Sequence, residues 1–121
     1  MKLKKFLSST GLEILVGQDD YSNDQLSLKI AAANDLWFHT AGAPGSHVVL
    51  RCADSGSDKE SIREAAGLAA WFSKMRKGGK TAVHYCLAGN VSKPRGAKPG
   101  TVSIRREKKI LVKPQLLDEA E

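Results

Sequence analysis

The sequence has little cysteine and no long apolar segment. Its two cysteines, Cys52 and Cys86, could form at most one disulfide bond. With 41% hydrophobic residues among 121, the chain can bury a core of its own and does not need that bond. Scarce cysteine therefore predicts a protein of the reducing cytoplasm. No apolar run approaches the roughly 18 to 20 residues of a membrane span, so we expect no membrane partner.

Several other signals are missing. The start, Met1 to Leu7, has the charge of a secretory signal, but its apolar stretch stops at Ser8 without a cleavage site and predicts a strand. No C-x-x-C or H-E-x-x-H spacing occurs, so we predict neither a metal site nor a cofactor. No repeat or long linker divides the chain, whose length suits one domain. We expect that domain to span residues 1–115 and to be followed by a flexible acidic tail over 116–121.

Positive charge is abundant and unevenly placed. The chain carries 19 Lys and Arg against 13 Asp and Glu, for a net charge of +6. Twelve of the basic residues lie between Lys74 and Lys113, where Glu107 is the one acid. The rest of the chain is net acidic, with seven basic and twelve acidic residues. A polyanion is the natural partner of such a basic segment.

The hydrophobic patterns predict an α+β fold: a single domain with a mostly antiparallel sheet of about seven short strands and two main helices. One helix is expected from a capping box at Ser22 to about Ala33. The second is expected from a box at Ser57 to Gly78, with Lys74 in its last turn. The strands are expected over residues 3–7, 12–17, 36–40, 47–52, 81–87, 101–106 and 109–113.

Strand alternation assigns side chains to faces. In His47 to Cys52 it places Val48, Leu50 and Cys52 on one face and His47, Val49 and Arg51 on the other. In Leu36 to His39 it places Trp37 beside His39.

A basic Pro/Gly segment, Val91 to Gly100, is the first candidate site. Lys93, Arg95 and Lys98 place three cations within six residues. Two prolines reduce the entropy lost on ordering the segment, and two glycines let the backbone approach a phosphate. From the residues alone, an ordinary solvated loop is an equally good interpretation.

The second candidate segment runs from Asp35 to His47. Trp37 and His39 occupy alternate strand positions, and a Pro-Gly-Ser-His turn leads to a strand that contains Arg51. These residue types could supply base stacking, a phosphate-binding turn and hydrogen bonds to sugar or base. Taken singly, Trp37 and each histidine have simpler structural roles.

Taken together, five sequence pieces resemble the NFACT RNA-binding domain family. The resemblance spans Phe6 to Pro114, and its pieces are Ile14 to Gly17, Ser22 to Asp24, Asp35 to His39, Pro44 to Leu50 and Val91 to Gly100. It implies binding of structured RNA, such as transfer or ribosomal RNA, a link to ribosome-associated quality control, and no established catalysis.

The resemblance favours a functional role for both candidate segments. Lys93, Arg95 and Lys98 would hold phosphates, and His39, Ser46, His47 and Arg51 would extend the surface. Trp37 would stack on a base or simply pack, while Lys74 and Arg76 would widen the electrostatic footprint. One departure weakens the match: the family's Arg-Asn after Gly17 is replaced by Gln18 and Asp19, so a cation is missing.

Two other functions remain open from the sequence. An RNA-processing enzyme could use His39 and His47 as acid and base, or combine its histidines with Cys52 and Cys86 as metal ligands. A protein-interaction adaptor could use the same cations on an acidic partner. Composition does not separate this adaptor from an RNA-binding module.

Overall fold

A computed structural model describes residues 1–120. Eight strands lie within that range: β1 (Leu3–Leu7), β2 (Glu13–Gly17), β3 (Leu36–Thr40), β4 (Val48–Leu50), β5 (Thr81–Leu87), β6 (Val91–Ser92), β7 (Ser103–Ile104) and β8 (Lys108–Val112). The helical elements are α1 (Asp20–Gln25), a π-helical turn (Leu26–Ile30), α2 (Lys59–Trp71) and a 3₁₀ turn (Ala88–Asn90). None of the helices in this range is long and apolar enough to span a bilayer.

The main sheet has six strands in the order β1-β2-β4-β3-β5-β8, and every neighbouring pair is antiparallel. Strands β6 and β7 form a separate antiparallel ribbon. This architecture confirms the predicted α+β class and the mostly antiparallel sheet. Three predicted strands, 3–7, 36–40 and 81–87, have the predicted bounds.

The sheet buries both faces in its central part. On one face, α2 covers strand residues such as Phe6, Phe38 and Leu50 with its own Ala65 and Leu68. The opposite face forms a second cluster in which Leu26 of the π-helical turn and Val91 of β6 cover Leu15, Trp37 and Val49. The face assignments for Val48 to Cys52 are confirmed, since Cys52 belongs to the first cluster and Val49 to the second.

The start of the first helix differs from the prediction. Asp19, not Ser22, is the N-cap, and its carboxylate accepts a hydrogen bond from Ser22 N at 2.7 Å. Hydrogen bonding from Ser22, first from its side chain and then from its backbone N–H, holds the pKa of Asp19 below its usual range. The helix then widens into the π-helical turn and ends at Ile30 instead of Ala33. The acid that departs from the family pattern therefore caps α1.

The second helix is shorter than predicted. Its N-cap is Asp58 rather than Ser57, and it ends at Trp71, before Lys74, Arg76 and Lys77. The reason is a tertiary contact, because Ser73 leaves the helix and bridges to Gly45. The prediction that cations in the last turn of α2 interact with the helix dipole is therefore wrong, because no basic residue lies in that turn.

The acidic tail lies along the outer edge of the sheet. Glu119 bridges to Phe6, and Ala120 N donates to Lys5 O at 2.7 Å. The ammonium of Lys4 lies 3.1 Å from the Glu119 carboxylate. Up to Ala120 the tail is thus an added partner for β1. Its flexibility stays a prediction.

Candidate nucleic-acid interface

A cavity of about 640 Å³ opens where three segments meet: the start of α1, the turn after β3 and the basic loop. The residues that line it are Asp20, Asn23, His39, Ala43, Pro44, Gly45, Lys98, Pro99, Gly100 and Thr101. The two candidate segments of the sequence therefore meet here, through His39 and Lys98.

The basic loop is fixed to α1 by one carboxylate. Lys93 Nζ lies 3.0 Å from Asp24 Oδ2, and Gly100 N donates to Asp24 Oδ1 at 3.0 Å. Lys93 also donates to the carbonyl oxygens of Lys98 and Thr101. Its ammonium is therefore committed to the loop itself. Lys93 was predicted to hold phosphate, but the structure assigns it the role of an internal tie.

Gly100 is required by this arrangement. Its φ of +87° lies in the left-handed region, and a Cβ there would approach Asp20 Oδ1 to 2.7 Å. Gly96 shares the positive φ, at +75°, but a Cβ there would meet nothing within 4 Å. Of these two loop glycines, therefore, only Gly100 is restricted by close packing against α1.

The turn after β3 is fixed to the end of α2. Ser46 N donates to Phe72 O at 2.9 Å, and Lys74 N donates to Pro44 O at 3.1 Å. These bonds use the backbone of Ser46, and they bring the exposed Lys74 next to Pro44, which lines the cavity. Lys74 is therefore adjacent to the site.

His39 supplies a ring to the cavity wall. It stacks on Trp37 with centroids 6.0 Å apart, which confirms the predicted pairing, and its ring lies edge-on to that of His47 at 5.5 Å. Burial lowers the pKa of His39 below its usual value. The ring is therefore neutral near pH 7 and can both donate and accept one hydrogen bond.

Trp37 and His47 lie beneath this ring and do not face the cavity. Each is only 2% exposed, and both bond Ser27 Oγ at 2.8 Å, through Trp37 Nε1 and His47 Nδ1. Burial, with the nearby His39, lowers the pKa of His47 to about 4. Base stacking by Trp37 and direct contact by His47 are therefore not supported, because the π-helical turn that carries Ser27 covers both.

Arg51 is occupied elsewhere. Its Nε lies 2.8 Å from Asp35 Oδ2, and the other carboxylate oxygen accepts the backbone N–H groups of Cys52 and Ala53. Asp35 is 1% exposed, so its charge needs this compensation. The structure pairs Arg51 with the buried Asp35 at the far end of β4 from His47, and Arg51 does not line the cavity.

The remaining predicted cations are exposed. Arg95 lies in the loop beside Lys98, and both side chains face solvent. Arg76 is partly engaged, because Nε donates to Trp71 O at 2.8 Å and the guanidinium lies 4.6 Å from the centre of the Trp71 ring. Of the predicted residues, His39 and Lys98 line the cavity, and the backbone of Lys74 bonds to its lining residue Pro44.

Three polar groups of the cavity were not predicted from the sequence: Asp20, Asn23 and Thr101. Asn23 Oδ1 accepts His47 N at 3.1 Å, and a Cβ on Gly17 would lie 2.1 Å from that oxygen. The sequence did contain a signal for Asn23, since Ser22 to Asp24 is one of the five pieces that carry the family resemblance.

The two cysteines lie on opposite faces of the sheet, Cys52 in the α2 cluster and Cys86 in the other. Burial raises the pKa of both thiols, that of Cys86 to about 11, so both are protonated. Residues 1–120 contain no cluster of three or more metal-ligating side chains. The metal-ligand alternative has no geometry to support it.

Comparison with known proteins identifies close relatives. A family model described as the NFACT protein RNA binding domain matches residues 2–106. The chain is 42% identical over 112 residues to the Rqc2 homolog RqcH of Bacillus subtilis (strain 168), and 41% identical over 114 residues to that of Streptococcus suis (strain 05ZYH33). Each match covers 93% of this chain, but only 19% and 20% of the length of the two relatives.

A solved structure has the same fold. It is described as the C-terminal of the fibronectin/fibrinogen-binding protein from Streptococcus suis, and it matches with a TM-score of 0.89 and 39% identity. The match covers 95% of this chain and 46% of that one. The chain therefore spans about a fifth of its curated relatives and under half of this structure.

Proposed function

Because the chain belongs to the NFACT RNA-binding domain family, we propose that it is a non-catalytic module that binds structured RNA, such as transfer or ribosomal RNA. One observation carries this proposal: two segments with exposed cations meet at one polar cavity. Lys98 of the basic loop lines it, and the backbone of Lys74 after α2 bonds to its lining residue Pro44, while Arg95 is exposed in the same loop as Lys98. We also propose, from the family resemblance, that it is linked to ribosome-associated quality control.

The cations would bind the RNA backbone. Lys98 and Arg95 lie on a loop that Asp24 holds in place, so little loop entropy is lost when they meet phosphates. Each neutralised phosphate releases counterions, which makes the affinity depend on salt.

The cavity itself suits sugar or base edges better than a bare phosphate. Asp20 repels phosphate, whereas the Asp20 carboxylate, Thr101 hydroxyl and neutral His39 ring can bond the 2′-hydroxyl or a base. A 2′-hydroxyl contact would favour RNA over DNA.

The burial of His47 supports a binding role over an enzymatic one. An acid/base pair must flank the scissile phosphate, and His47 is 2% exposed with Nδ1 bonded to Ser27. The alternative enzyme thus lacks one of its two proposed groups.

The test is fluorescence anisotropy with labelled transfer RNA, a ribosomal RNA hairpin and duplex DNA of matched charge, at two salt concentrations. We expect salt-sensitive binding with a preference for one structured RNA. Equal affinity for RNA and DNA would indicate a general polyanion surface, and no binding of either would favour the adaptor alternative. RNA cleavage that disappears in His39→Ala would restore the enzyme alternative.

A further inference from the structure

A second cleft, of about 330 Å³, lies at the end of β5, beside the turn that leads from β7 into β8. It is near Leu36, the first residue of β3, whereas His39 and the cavity lie toward the other end of that strand. The residues that line it are Leu36, Tyr85, Cys86, Leu87, Asn90, Arg106 and Lys108. Its volume is at the lower end of the range of about 300 to 1,000 Å³ that small-ligand sites occupy.

The floor of the cleft is apolar and partly aromatic. Leu36 pairs with Leu87, and Phe38 with Tyr85, so two adjacent cross-strand rows share one face. Phe38 is buried and stacks on the Tyr85 ring with centroids 5.5 Å apart at 15°, and Tyr85 in turn lines the cleft. Leu87 is 43% exposed. An open floor of this kind accepts a flat ring.

The rim is cationic and lacks charge partners. Arg105 to Lys109 contains four basic residues and Glu107, and all five are exposed. Within residues 1–120, none of them forms a salt bridge. Arg106 is the one non-glycine residue in that range with a positive φ, at 54°. This conformation costs roughly 1 to 2 kcal/mol, so a cation stands where the backbone would favour glycine.

An uncharged amide completes the rim. Asn90 O accepts Arg105 N at 3.1 Å, which joins the 3₁₀ turn to the basic turn. The Asn90 side chain lines the cleft and can donate and accept hydrogen bonds. No acidic side chain is among the described residues that line the cleft, in contrast to Asp20 in the cavity.

We propose that this cleft binds one unstacked nucleotide of an RNA chain. The base lies on Tyr85 and Leu87, the Asn90 amide bonds a polar edge, and Arg106 and Lys108 hold the adjoining phosphate. Stacking on an aromatic ring beside a basic groove is how single-stranded segments are commonly bound. The inference rests on the proposed function only in that its ligand is RNA.

The first test compares two double variants that each remove two positive charges from the same turn. Arg106→Gly with Lys108→Ala alters the cleft, and glycine relieves the backbone strain, so the fold is retained. Arg105→Ala with Lys109→Ala is the matched control, since Lys109 pairs with His84 on the opposite face of β8 from Lys108. For a short single-stranded oligoribonucleotide, we expect affinity to fall about tenfold or more in the cleft variant and less than about threefold in the control. Equal losses would overturn the proposal.

The second test maps the site by backbone amide NMR with a dinucleoside monophosphate and a free nucleoside. We expect the dinucleotide to shift the amides of Tyr85, Leu87, Asn90 and Lys108, and the nucleoside to bind more weakly because it brings no phosphate to Arg106 and Lys108. If structured RNA does not bind but these shifts occur, the proposed function fails and the cleft stands. If RNA binds and the shifts are confined to His39 and Gly100, or are absent, the cleft assignment is wrong. Equal binding of the nucleoside would show that Arg106 and Lys108 hold no phosphate and would overturn the proposal.

Discussion

Lys93 and Asp24, 69 residues apart in the chain, are joined at 3.0 Å between Nζ and Oδ2. The same carboxylate accepts the backbone N–H of Gly100, so one side chain of α1 holds both ends of the segment that presents Lys98. The loop therefore offers its cations from a fixed position. The proposed RNA contacts depend on this tie as much as on the cations themselves.

Lys93 and Arg95 differ in role although both are cations of one loop. Lys93→Ala should lower the free energy of unfolding by about 1 to 3 kcal/mol, because Asp24 and two carbonyl oxygens lose their donor. Arg95→Ala should change it by less than about 0.5 kcal/mol while weakening RNA binding. Urea denaturation and anisotropy on both variants check this. Equal stability of the two variants would show that Lys93 is not a tie.

Two glycines of the loop provide a test of its packing on α1. Gly96→Ala and Gly100→Ala both place alanine at a positive φ, which costs roughly 1 to 2 kcal/mol. Only Gly100→Ala adds a clash, with Asp20. We expect the larger loss of stability and of RNA affinity in Gly100→Ala, measured by thermal unfolding and anisotropy. The reverse order would contradict the described contact.

His47 should make the fold sensitive to acid. Its pKa is about 4 in the fold and about 6.5 when exposed, so below pH 6.5 the unfolded chain binds the proton first. The free energy of unfolding should therefore fall by about 3 kcal/mol between pH 7 and pH 4 on account of this group. Urea denaturation of wild type and His47→Gln at both pH values isolates the contribution of His47 to the free energy of unfolding. An unchanged pH dependence in the variant would argue against it.

Substitutions of Asp35 and Arg51 should lower the stability of the fold and leave its RNA affinity nearly unchanged. Asp35→Ala leaves buried N–H groups of Cys52 and Ala53 without an acceptor and should cost about 3 kcal/mol or more. Arg51→Ala should destabilise the fold but lower RNA affinity less than about threefold. A large loss of RNA affinity in a folded Arg51→Ala variant would show that Arg51 contacts the RNA.

Local patterns were sufficient for most of the sheet. The patterns of Leu36 to Thr40 and Thr81 to Leu87 predict both strands with their bounds, and alternation places Trp37 beside His39, because side chains two residues apart must share a face. The end of α2 could not be predicted locally. The segment after Trp71 could continue the helix, but its pairing with Gly45, distant in the chain, ends the helix first.

The site was only half predictable for the same reason. Composition and the family resemblance indicate the basic loop and His39. They do not show that Ser27 covers Trp37 and His47, or that Asp24 lies beside Lys93, since both contacts join distant segments. The sequence identifies cations and aromatic residues, whereas folding decides which of them remain exposed.

The most direct test of the account is the salt dependence of RNA binding in two variants that each lose two positive charges. Arg95→Ala with Lys98→Ala alters the proposed interface. Lys59→Ala with Arg63→Ala is the control, because both lie in the first turns of α2, away from the end that meets the cavity.

If wild type contacts four to six phosphates, log affinity should fall against log salt with a slope of about −3 to −5. The interface variant should flatten that slope by about 1 to 2 and bind more weakly, and the control should keep the wild-type slope. Equal slopes in both variants would contradict the proposed interface.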